Sequence, residues 1–553
     1  MEKIAKILLI LFTSLALSCE DYLVEEPPTF ISASNYWRNA GDARTAVDGA
    51  YEQLYDAHNR WWATIDEYTD DQVNRSDTDY GRHELKPSDQ MFERFGNYRE
   101  WWIGIGRANN VIKHVPAIDM DETEKNVILG EARALRAIYY YYLVRNFGDA
   151  PLLTEPVAVA EDYKKPRVSA ETIYDEIIIP DLQFAEANCR DELHTGHITM
   201  WTAKLILAEV YLTRAGWRMT SQGEKIQGDA ANWALARDKA KEVIDNSPHS
   251  LNLDPVVDGV VNTPAYGVAW LDDNPYTPES MLELSYVQTL GLGNWMSRES
   301  NPITDGRMYW GPQDTIPLAD EGITQTVAQM RFAGRPPGVG RYIPTPDLYD
   351  AFEPGDERRD FSIMTRYDTN EGQTYLCQPT FRKYIDIAYY LGGEGTSFQY
   401  TTSNLILYRY ADALLIYAEA QNEADGGPNA DAYDAVNAIR NRAGLGDLAT
   451  GLSQSQFRDA VLQERRVELN AEFKRKNDLK RTDRLVAETT NINLDWTAAQ
   501  GAMNDYTRVG SFYYDNRPAW PDHEWLWPIP QSEMDLNKEF GWVQNFGYAA
   551  VVE

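Results

Sequence analysis

One stretch limits the fold more than any other, the segment EKNVILGEARALRAIYYYYLVRNFGDAPLL at Glu124–Leu153. Its large and small apolar residues recur at steps of three and four, namely at Ile128, Ala132, Leu135, Tyr139 and Tyr142. This spacing places them on one face of a long helix, and Gly148 with Pro151 favours the end of that helix. A chain that contains such a segment must pack the helix against others, which predicts a mainly α fold.

Three further stretches show similar helical patterns: Ile198–Trp217, residues 232–248 and Asn404–Gly426. In the first of them the small Ala203 and Ala208 stand among large apolar residues, where they would let a neighbouring helix approach closely. The last is apolar on most faces, as a buried helix should be. Ala-rich helices with aromatic side chains between them predict tetratricopeptide-like helix pairs, and their irregular spacing indicates a degenerate array.

Two regions lack this helical period. Residues 61–100 contain many turn formers, and residues 251–403 are rich in Gly, Pro, Tyr and Trp, with short alternating pieces such as SMLELSYV that suit strands. Both regions are predicted to form loops carried by the helical scaffold. Such loops are where binding residues tend to lie.

The N-terminus is predicted to be a signal peptide, residues 1–18. Lys3 and Lys6 precede an apolar run at Ile7–Leu17 that is too short to span a bilayer, since a membrane helix needs about 20 apolar residues. The residues Ala-Leu-Ser-Cys that end at Cys19 resemble a bacterial lipobox, which predicts Cys19 as the lipid-bearing first residue of the mature protein. The alternative is an ordinary signal peptide with an incidental cysteine.

Charge and cysteine content exclude other classes of protein. Lys plus Arg is 52 against 85 Asp plus Glu, and the formal charge of -33 makes nucleic acid an unfavourable partner. Apart from Cys19 the chain has only Cys189 and Cys377, so it has no disulfide framework and at most one bridge. Its stability must therefore come from an apolar core.

Catalytic and metal-binding motifs are weak or missing. The sequence has no nucleophile elbow, phosphate-binding loop or zinc-protease helix, so we predict no cofactor and no catalytic residue. His194 and His197 have a spacing that suits a metal but no nearby third ligand, and we interpret them as surface histidines. The stretches that begin at Asp77 and Asp368 start like calcium loops and lack the closing residues, so solvated turns are the better interpretation. A glycosidase pair of carboxylates could be chosen among so many acids, but the choice would have no specificity.

Aromatic residues are the more informative group, with 16 Trp and 34 Tyr in the chain. Sugar rings present C–H faces that pack on aromatic rings, while their hydroxyl groups need polar partners. Several aromatic residues of the two loop regions lie among such polar residues, namely Trp61, Trp62, Tyr80, Trp295, Tyr309 and Trp310. The alternative for each is a place in the core, where large aromatic residues are common.

The motifs together resemble the SusD/RagB family of surface lipoproteins from Bacteroidetes. EARALRAIYYYYLVRNFGDAPLL resembles the family's first signature, and DLYDAFEPGDERRDFSI a second, through Phe352, Asp356 and Arg358. A third block comprises LYRYADALLIYAEAQN, VNAIRNRAGL and ERRVELNAEFKRKNDLKR, and the chain closes with LWPIPQSEMDLN and QNFGY. Four residues of the third block have helical spacing and are expected to form ion pairs that fasten helices, namely Arg465, Glu468, Arg475 and Asp478. Glu472-Phe473 and Arg475-Lys476 depart from the family pattern.

The resemblance implies a SusD-like fold: a single domain at residues 19–553, with a helical scaffold at about 35–250 and 404–485. It also implies a loop-rich ligand-binding insertion at about 251–403 and a C-terminal segment at 486–553. The implied function is a non-catalytic glycan-binding lipoprotein on the outer face of the outer membrane, which acts as the lid of a SusC-like TonB-dependent transporter and captures oligosaccharides for import. A peptide- or protein-binding lid and, less favoured, a glycoside hydrolase are the alternatives.

The resemblance also implies roles for particular residues. The acids after Cys19 resemble the family's surface-export signal, namely Glu20, Asp21, Glu25 and Glu26. The glycan is expected on an aromatic arc built from residues 61–80 and 290–312. Trp310 is the first choice, and the other expected contacts are Tyr309, Trp295, Trp62, Tyr80, Asp305 and Arg307.

Overall fold

The structure is a computed structural model that describes part of the chain, namely residues 36–58, 69–74, 85–88, 98–157, 159–193, 196–257, 262–271, 274–287, 293–294, 315–318, 323–326, 342–368, 374–384, 402–490, 492 and 520–548. In this part most residues with regular structure are helical. No helix in these ranges is long and apolar enough to cross a membrane.

The α-helices are named in chain order. They are α1 Ala40–His58, α2 Tyr98–His114, α3 Glu122–Phe147, α4 Ala170–Ile173, α5 Ile179–Asn188, α6 Met200–Ala215, α7 Ala231–Asn246, α8 Pro346–Asp350, α9 Glu357–Ser362, α10 Tyr410–Ala424, α11 Ala430–Arg442, α12 Gln454–Glu468, α13 Arg475–Arg481, α14 Leu485–Thr490 and α15 Gln531–Leu536. A π-helical turn, Tyr174–Ile178, joins α4 to α5.

The strands are short and form two-stranded antiparallel pairs. They are β1 Gln72–Asn74, β2 Ala150–Pro151, β3 Arg167–Val168, β4 Trp217–Met219, β5 Lys225–Gln227, β6 Val256–Val257, β7 Asn262–Thr263, β8 Ser280–Leu284, β9 Thr315–Leu318, β10 Ile323–Thr326, β11 Tyr342–Pro344, β12 Ile363–Asp368, β13 Thr374–Phe381 and β14 Leu405–Arg409. β1 pairs with β11 and β8 with β14, and the other strands pair with their neighbours along the chain.

The long helices pack on one another in chain order, which confirms the predicted helix array. α1 packs on α2, α2 on α3, α3 on α5, α5 on α6 and α6 on α7. The next long helix that packs on α7 is α10, which follows the loop-rich region in the sequence. α10 in turn packs on α11 and α12. A continuous core of buried apolar residues runs through these helices.

Local signals set the ends of the central helix α3. The Asp121 side chain accepts a hydrogen bond from the backbone N–H of Glu124 at 2.9 Å, which caps the first turn. Gly148, with φ of 72°, ends the helix in a backbone conformation that other residues rarely adopt. Both the length of the helix and its end at Gly148 agree with the sequence prediction. Tyr139, Tyr140 and Tyr141 on this helix are fully buried, so they belong to the core.

The predicted helix at Asn404–Gly426 is wrong for its first residues. Leu405–Arg409 form strand β14 and pair with β8, the strand that SMLELSYV predicted, with Leu405 opposite Leu284 and Arg409 opposite Ser280. The helix begins only at Tyr410. A short apolar run suits a buried strand as well as a buried helix, and pairing with a distant strand decides between them.

Candidate functional site

The residues predicted to contact a glycan lie outside the described residues, and so do the predicted lipidation and export residues. They are Trp62, Tyr80, Trp295, Asp305, Arg307, Tyr309 and Trp310, with Cys19, Glu20, Asp21, Glu25 and Glu26. These assignments stay predictions. The two aromatic regions are residues 61–80 and 290–312, and described residues before, within or after them form two junctions.

The first junction joins the end of α1 to the residues after β8. The rings of Tyr55 and Tyr286 pack edge to face with centroids 5.4 Å apart, and the backbone N–H of Ser285 donates to the Tyr55 hydroxyl at 3.2 Å. α1 ends at His58, three residues before Trp61, and Tyr286 lies shortly before residue 290. The two aromatic regions therefore leave the scaffold from neighbouring positions.

Amide side chains extend this junction toward the second aromatic region. The side chain of Asn294, the residue before Trp295, donates to the carbonyl of Ser403 at 2.6 Å. The backbone N–H of Tyr286 donates to the Asn404 side chain at 3.1 Å. Asn294 and Ser403 are buried. Hydrogen bonds of this kind fix the backbone position of Asn294, and so the point from which the chain continues to Trp295.

The second junction, which we call the stem anchor, joins residues 69–74 to residues 342–347. β1 pairs with β11, with Val73 opposite Ile343, and the backbone N–H of Thr345 donates to the carbonyl of Asp71 at 2.9 Å. The stem anchor consists of this strand pair and the side chains of Asp70, Asp71, Asp347, Arg466 and Arg475.

Arg466 and Arg475 supply the positive charge of the stem anchor. Arg466 donates to Asp71 at 2.7 Å and to Asp347 at 2.8 Å, while Arg475 donates to both oxygens of Asp70 at 2.9 and 2.6 Å. These two arginines belong to α12 and α13, so they fasten residues 69–74, within the first aromatic region, and residues 342–347 to the C-terminal half of the scaffold.

The two aspartates differ in their electrostatic environment. Burial opposes the ionisation of Asp70, but Arg466 and Arg475 outweigh it and lower the pKa of Asp70. Burial, with the neighbouring Asp70 carboxylate, raises the pKa of Asp71 to about 6 although Arg466 opposes the change. Asp71 therefore depends on Arg466 for its charge, while Asp70 also has Arg475.

A second group of buried charges lies around Glu468, at the end of α12. Its carboxylate accepts hydrogen bonds from Arg358, Arg409 and Arg442, which outweigh the cost of burial and lower the pKa of Glu468. Arg409 also donates to Glu472 at 2.8 Å. Side chains of Arg358, Arg409 and Glu468 are fully buried, so this cluster is scaffold and offers no surface to a ligand.

The predicted ion pairs of the third sequence block are confirmed, with partners that helical spacing alone does not give. Arg465 pairs with Asp478 at 3.0 Å, from one helix to the next. Glu468 and Arg475 pair with residues far away in the sequence, in the Glu468 cluster and in the stem anchor. The sequence analysis missed Arg466, Asp70 and Asp71. In the sequence, the adjacent acids in TDDQ were the only signal for Asp70 and Asp71.

The described residues contain no group of three or more side chains that could hold a metal ion. His197 lies 3.4 Å from Asp48 and packs against the ring of Tyr51, and His194 lies outside the described residues. Asp77 lies outside them too, as does Asn370 of the second calcium-like stretch. Cys189 is a free, buried thiol, so the bridge that the sequence allowed is not formed. Burial raises the pKa of this thiol.

Comparisons with known proteins cover most of the chain. A model described as the SusD family matches residues 334–548, and one described as starch-binding, associating with the outer membrane, matches residues 29–212. SusD-like protein P25 of Formosa agariphila is 26% identical over an alignment of 555 positions, which covers 94% of this chain and 94% of the relative. A SusD-like protein of Bacteroides ovatus is 30% identical over 203 residues, which are 36% of this chain and 34% of the relative.

Solved structures share the fold. A SusD superfamily protein from Parabacteroides distasonis superposes with a TM-score of 0.72 at 25% identity, covering 92% of this chain and 99% of the other. Surface glycan-binding protein A of Bacteroides thetaiotaomicron, solved in complex with laminarihexaose, superposes with a TM-score of 0.66 at 19% identity, covering 91% and 99%.

Proposed function

Because the chain belongs to the SusD family, we propose that it is a non-catalytic glycan-binding lipoprotein of the outer membrane. In this role it binds oligosaccharides at the cell surface and acts as the lid of a SusC-like TonB-dependent transporter. The whole chain from Cys19 onward serves as one domain, with the helical scaffold carrying the binding loops.

The description of one matching family model names both starch binding and association with the outer membrane, which supports the general role. The fold neighbours include a laminarin-binding SusD-like protein and a surface glycan-binding protein solved with laminarihexaose. Those ligands belong to the neighbours. They make laminarihexaose a reasonable first probe for this chain.

One observation carries the proposal, the contact between the described residues that precede the two aromatic regions. Tyr55 and Tyr286 bring the starts of both regions together, and the stem anchor joins residues 69–74 to residues 342–347. A glycan is longer than one side chain and gains affinity when several rings touch it at once. Regions that start side by side on a rigid scaffold suit such a ligand.

The predicted tether is compatible with the motion of a lid. Residues 19–35 separate Cys19 from the first described residue, and this segment would reach at most about 60 Å when fully extended. Trp37 stacks on His114 at the end of α2, with centroids 4.9 Å apart. The proposed tether would therefore join a fixed point on the scaffold, and its maximum reach sets an upper limit on the distance between that point and the membrane.

Calorimetric titration of Trp310→Ala with a panel of oligosaccharides, laminarihexaose first, tests the binding site. If Trp310 is a stacking platform, its removal weakens binding by about 2 kcal/mol or more, roughly 30-fold, while the melting temperature is unchanged. Trp233→Ala is the matched control, because Trp233 is a partly buried residue of α7 in the helical scaffold. Equal affinity of the wild type and Trp310→Ala would remove Trp310 from the site. A large fall in melting temperature would instead place its ring in the core.

A second experiment tests the class of function. The purified protein is incubated with the glycans that it binds, and the release of reducing ends is measured. We expect none. Turnover that one carboxylate substitution abolishes would establish a glycosidase, and binding to peptides with no binding to any glycan would favour a peptide-binding lid.

A further inference from the structure

A cavity of about 240 Å³ lies away from the two junctions, among the C-terminal end of α3, helices α4 and α13, and the hairpin β4–β5. Its lining includes Lys480, Asn477, Trp217, Tyr174, Thr220 and Ser169. Pockets for drug-sized ligands have volumes of about 300–1,000 Å³, so this one suits a smaller molecule. A lining that combines an amine, aromatic rings and hydroxyl groups suits a small polar ligand.

Lys480 is the unusual member of this lining. It is 8% exposed, and its ammonium donates to the backbone carbonyl of Arg145 at 2.7 Å. No carboxylate of a described residue forms an ion pair with it. The carbonyl of Arg145 belongs to the last turn of α3, so the hydrogen bond ties the amine to the C-terminal end of that helix.

The other charged groups of the cavity already have partners. Glu171 pairs with Arg214 at 2.7 Å and with Arg218 at 2.9 Å. Asp149 accepts a hydrogen bond from the backbone N–H of Ala170 at 3.0 Å. Arg481 pairs with Glu419 and Asp478. Lys480 and Asp149 are thus the charged side chains of the described lining that form no ion pair there, and Lys480 is the more buried of the two.

This imbalance has an electrostatic consequence. Burial lowers the pKa of Lys480 well below its ordinary value, and the positive charges of Lys476 and Arg145 add to the effect. A buried cation without a counter-charge is costly, and an anion placed beside it would remove much of that cost. The cavity that Lys480 lines provides room for such an anion.

We propose that this cavity binds a small organic carboxylate, with the carboxylate group against the ammonium of Lys480 and the rest of the molecule between Trp217 and Tyr174. None of the residues of the two junctions lines this cavity. It therefore goes beyond the proposed glycan-binding function and stands or falls independently of it. A sugar acid would fill more of the cavity than a simple acid such as acetate.

Calorimetric titration of the full-length protein with three probes tests the proposal. D-glucuronate has a ring and a carboxylate, D-glucose has the ring alone, and acetate has the carboxylate alone. We expect glucuronate to bind at least tenfold more tightly than glucose. Weaker binding of acetate than of glucuronate assigns the site to sugar acids, and equal binding assigns it to carboxylates in general. No binding of glucuronate, or equal binding of glucose and glucuronate, overturns the proposal.

Lys480→Gln tests the role of the amine, because glutamine keeps an N–H donor for the carbonyl of Arg145 and removes the charge. We expect glucuronate to bind at least tenfold more weakly to it. Lys538→Met, which removes one positive charge from an exposed residue, is the control for the change in net charge and should bind as the wild type does. Unchanged affinity of Lys480→Gln overturns the proposal.

If Lys480→Gln does not fold, the pH dependence of glucuronate binding by the wild type tests the proposal instead. Binding requires the charged amine, and burial lowers its pKa, so the affinity for glucuronate should fall between pH 6 and about pH 10.4, the ordinary pKa of a lysine, while the carboxylate stays ionised. The other titratable or charged groups around the amine are Arg145 on α3, Asp149 after it, Glu171 on α4, Arg218 on β4, and Lys476 and Arg481 on α13. An affinity that does not change across this range overturns the proposal.

Discussion

Removing the Arg466 side chain is expected to release the stem anchor. In Arg466→Met, Asp70 keeps its two hydrogen bonds from Arg475, and Asp347, whose side chain is 30% exposed, gains water. Asp71 is only 5% exposed and loses its cation. The variant therefore leaves one uncompensated buried carboxylate, and breaking a buried pair in this way costs about 3–5 kcal/mol.

The loss of stability should appear as local opening of the stem anchor, because Arg466 holds short strands to a helix that has many other contacts. Amide hydrogen exchange followed by mass spectrometry measures it in peptides that cover residues 69–74 and 342–350. A loss of about 3 kcal/mol corresponds to exchange roughly 100-fold faster at the amides that open with the anchor, such as the Thr345 N–H bonded to Asp71.

Two further variants test whether Arg466 acts by compensating the charge of Asp71. Arg484→Met removes an arginine whose partner, Asp459, is 56% exposed, and such surface pairs contribute about 0–1 kcal/mol. Arg466→Met combined with Asp71→Asn removes both charges and should recover most of the lost protection. If Arg466→Met exchanges no faster than Arg484→Met, or if Asp71→Asn brings no recovery, the charge of Asp71 is not what Arg466 compensates.

Three other predictions concern the membrane anchor, acid stability and helix packing. Cys19→Ala should abolish surface display, measured by protease treatment of intact cells, and undiminished display would refute lipidation at this residue. Burial lowers the pKa of His58 to about 3, so the unfolded state takes up a proton that the folded state does not, and stability falls as the pH drops below about 6.5. Between pH 7.5 and pH 5 this group alone should cost about 2 kcal/mol of unfolding free energy, and denaturant titration of His58→Phe should show that much less acid sensitivity. In Gly104→Ala the new Cβ would lie 2.5 Å from the Tyr139 ring, so we expect about 1–3 kcal/mol of destabilisation in a thermal melt, against almost none for Gly106→Ala, where nothing lies near.

The helical part of the fold could be predicted from the sequence because its signals are local. The apolar spacing before Gly148 and the glycine itself lie within one short stretch, and the structure has the helix end there. The strand at Leu405–Arg409 was missed because its identity depends on β8, more than a hundred residues earlier. No local pattern distinguishes a buried strand from the first turn of a buried helix in such a case.

The candidate site could be predicted only in outline, for a related reason. The aromatic composition of residues 61–80 and 290–312 indicated two regions, but composition does not say where regions meet. Tyr55 and Tyr286, which join them, look like ordinary core residues in the sequence. Asp70 and Asp71 look like turn residues, and only the folded chain shows that Arg466 pairs with them.

The last turns of α12 explain why so many of the sequence motifs fall in one place. Glu464 and Glu468 are four residues apart and face the same side of the helix, where both accept hydrogen bonds from Arg358 at the start of α9. Arg465 faces α13 and pairs with Asp478, and Arg466 faces the stem anchor. Successive residues of a helix point about 100° apart, so a stretch of five residues can reach three different parts of the chain. Arg466, which holds the stem anchor, is therefore part of the same turns that hold the scaffold together, and a change in ERRVE should affect both.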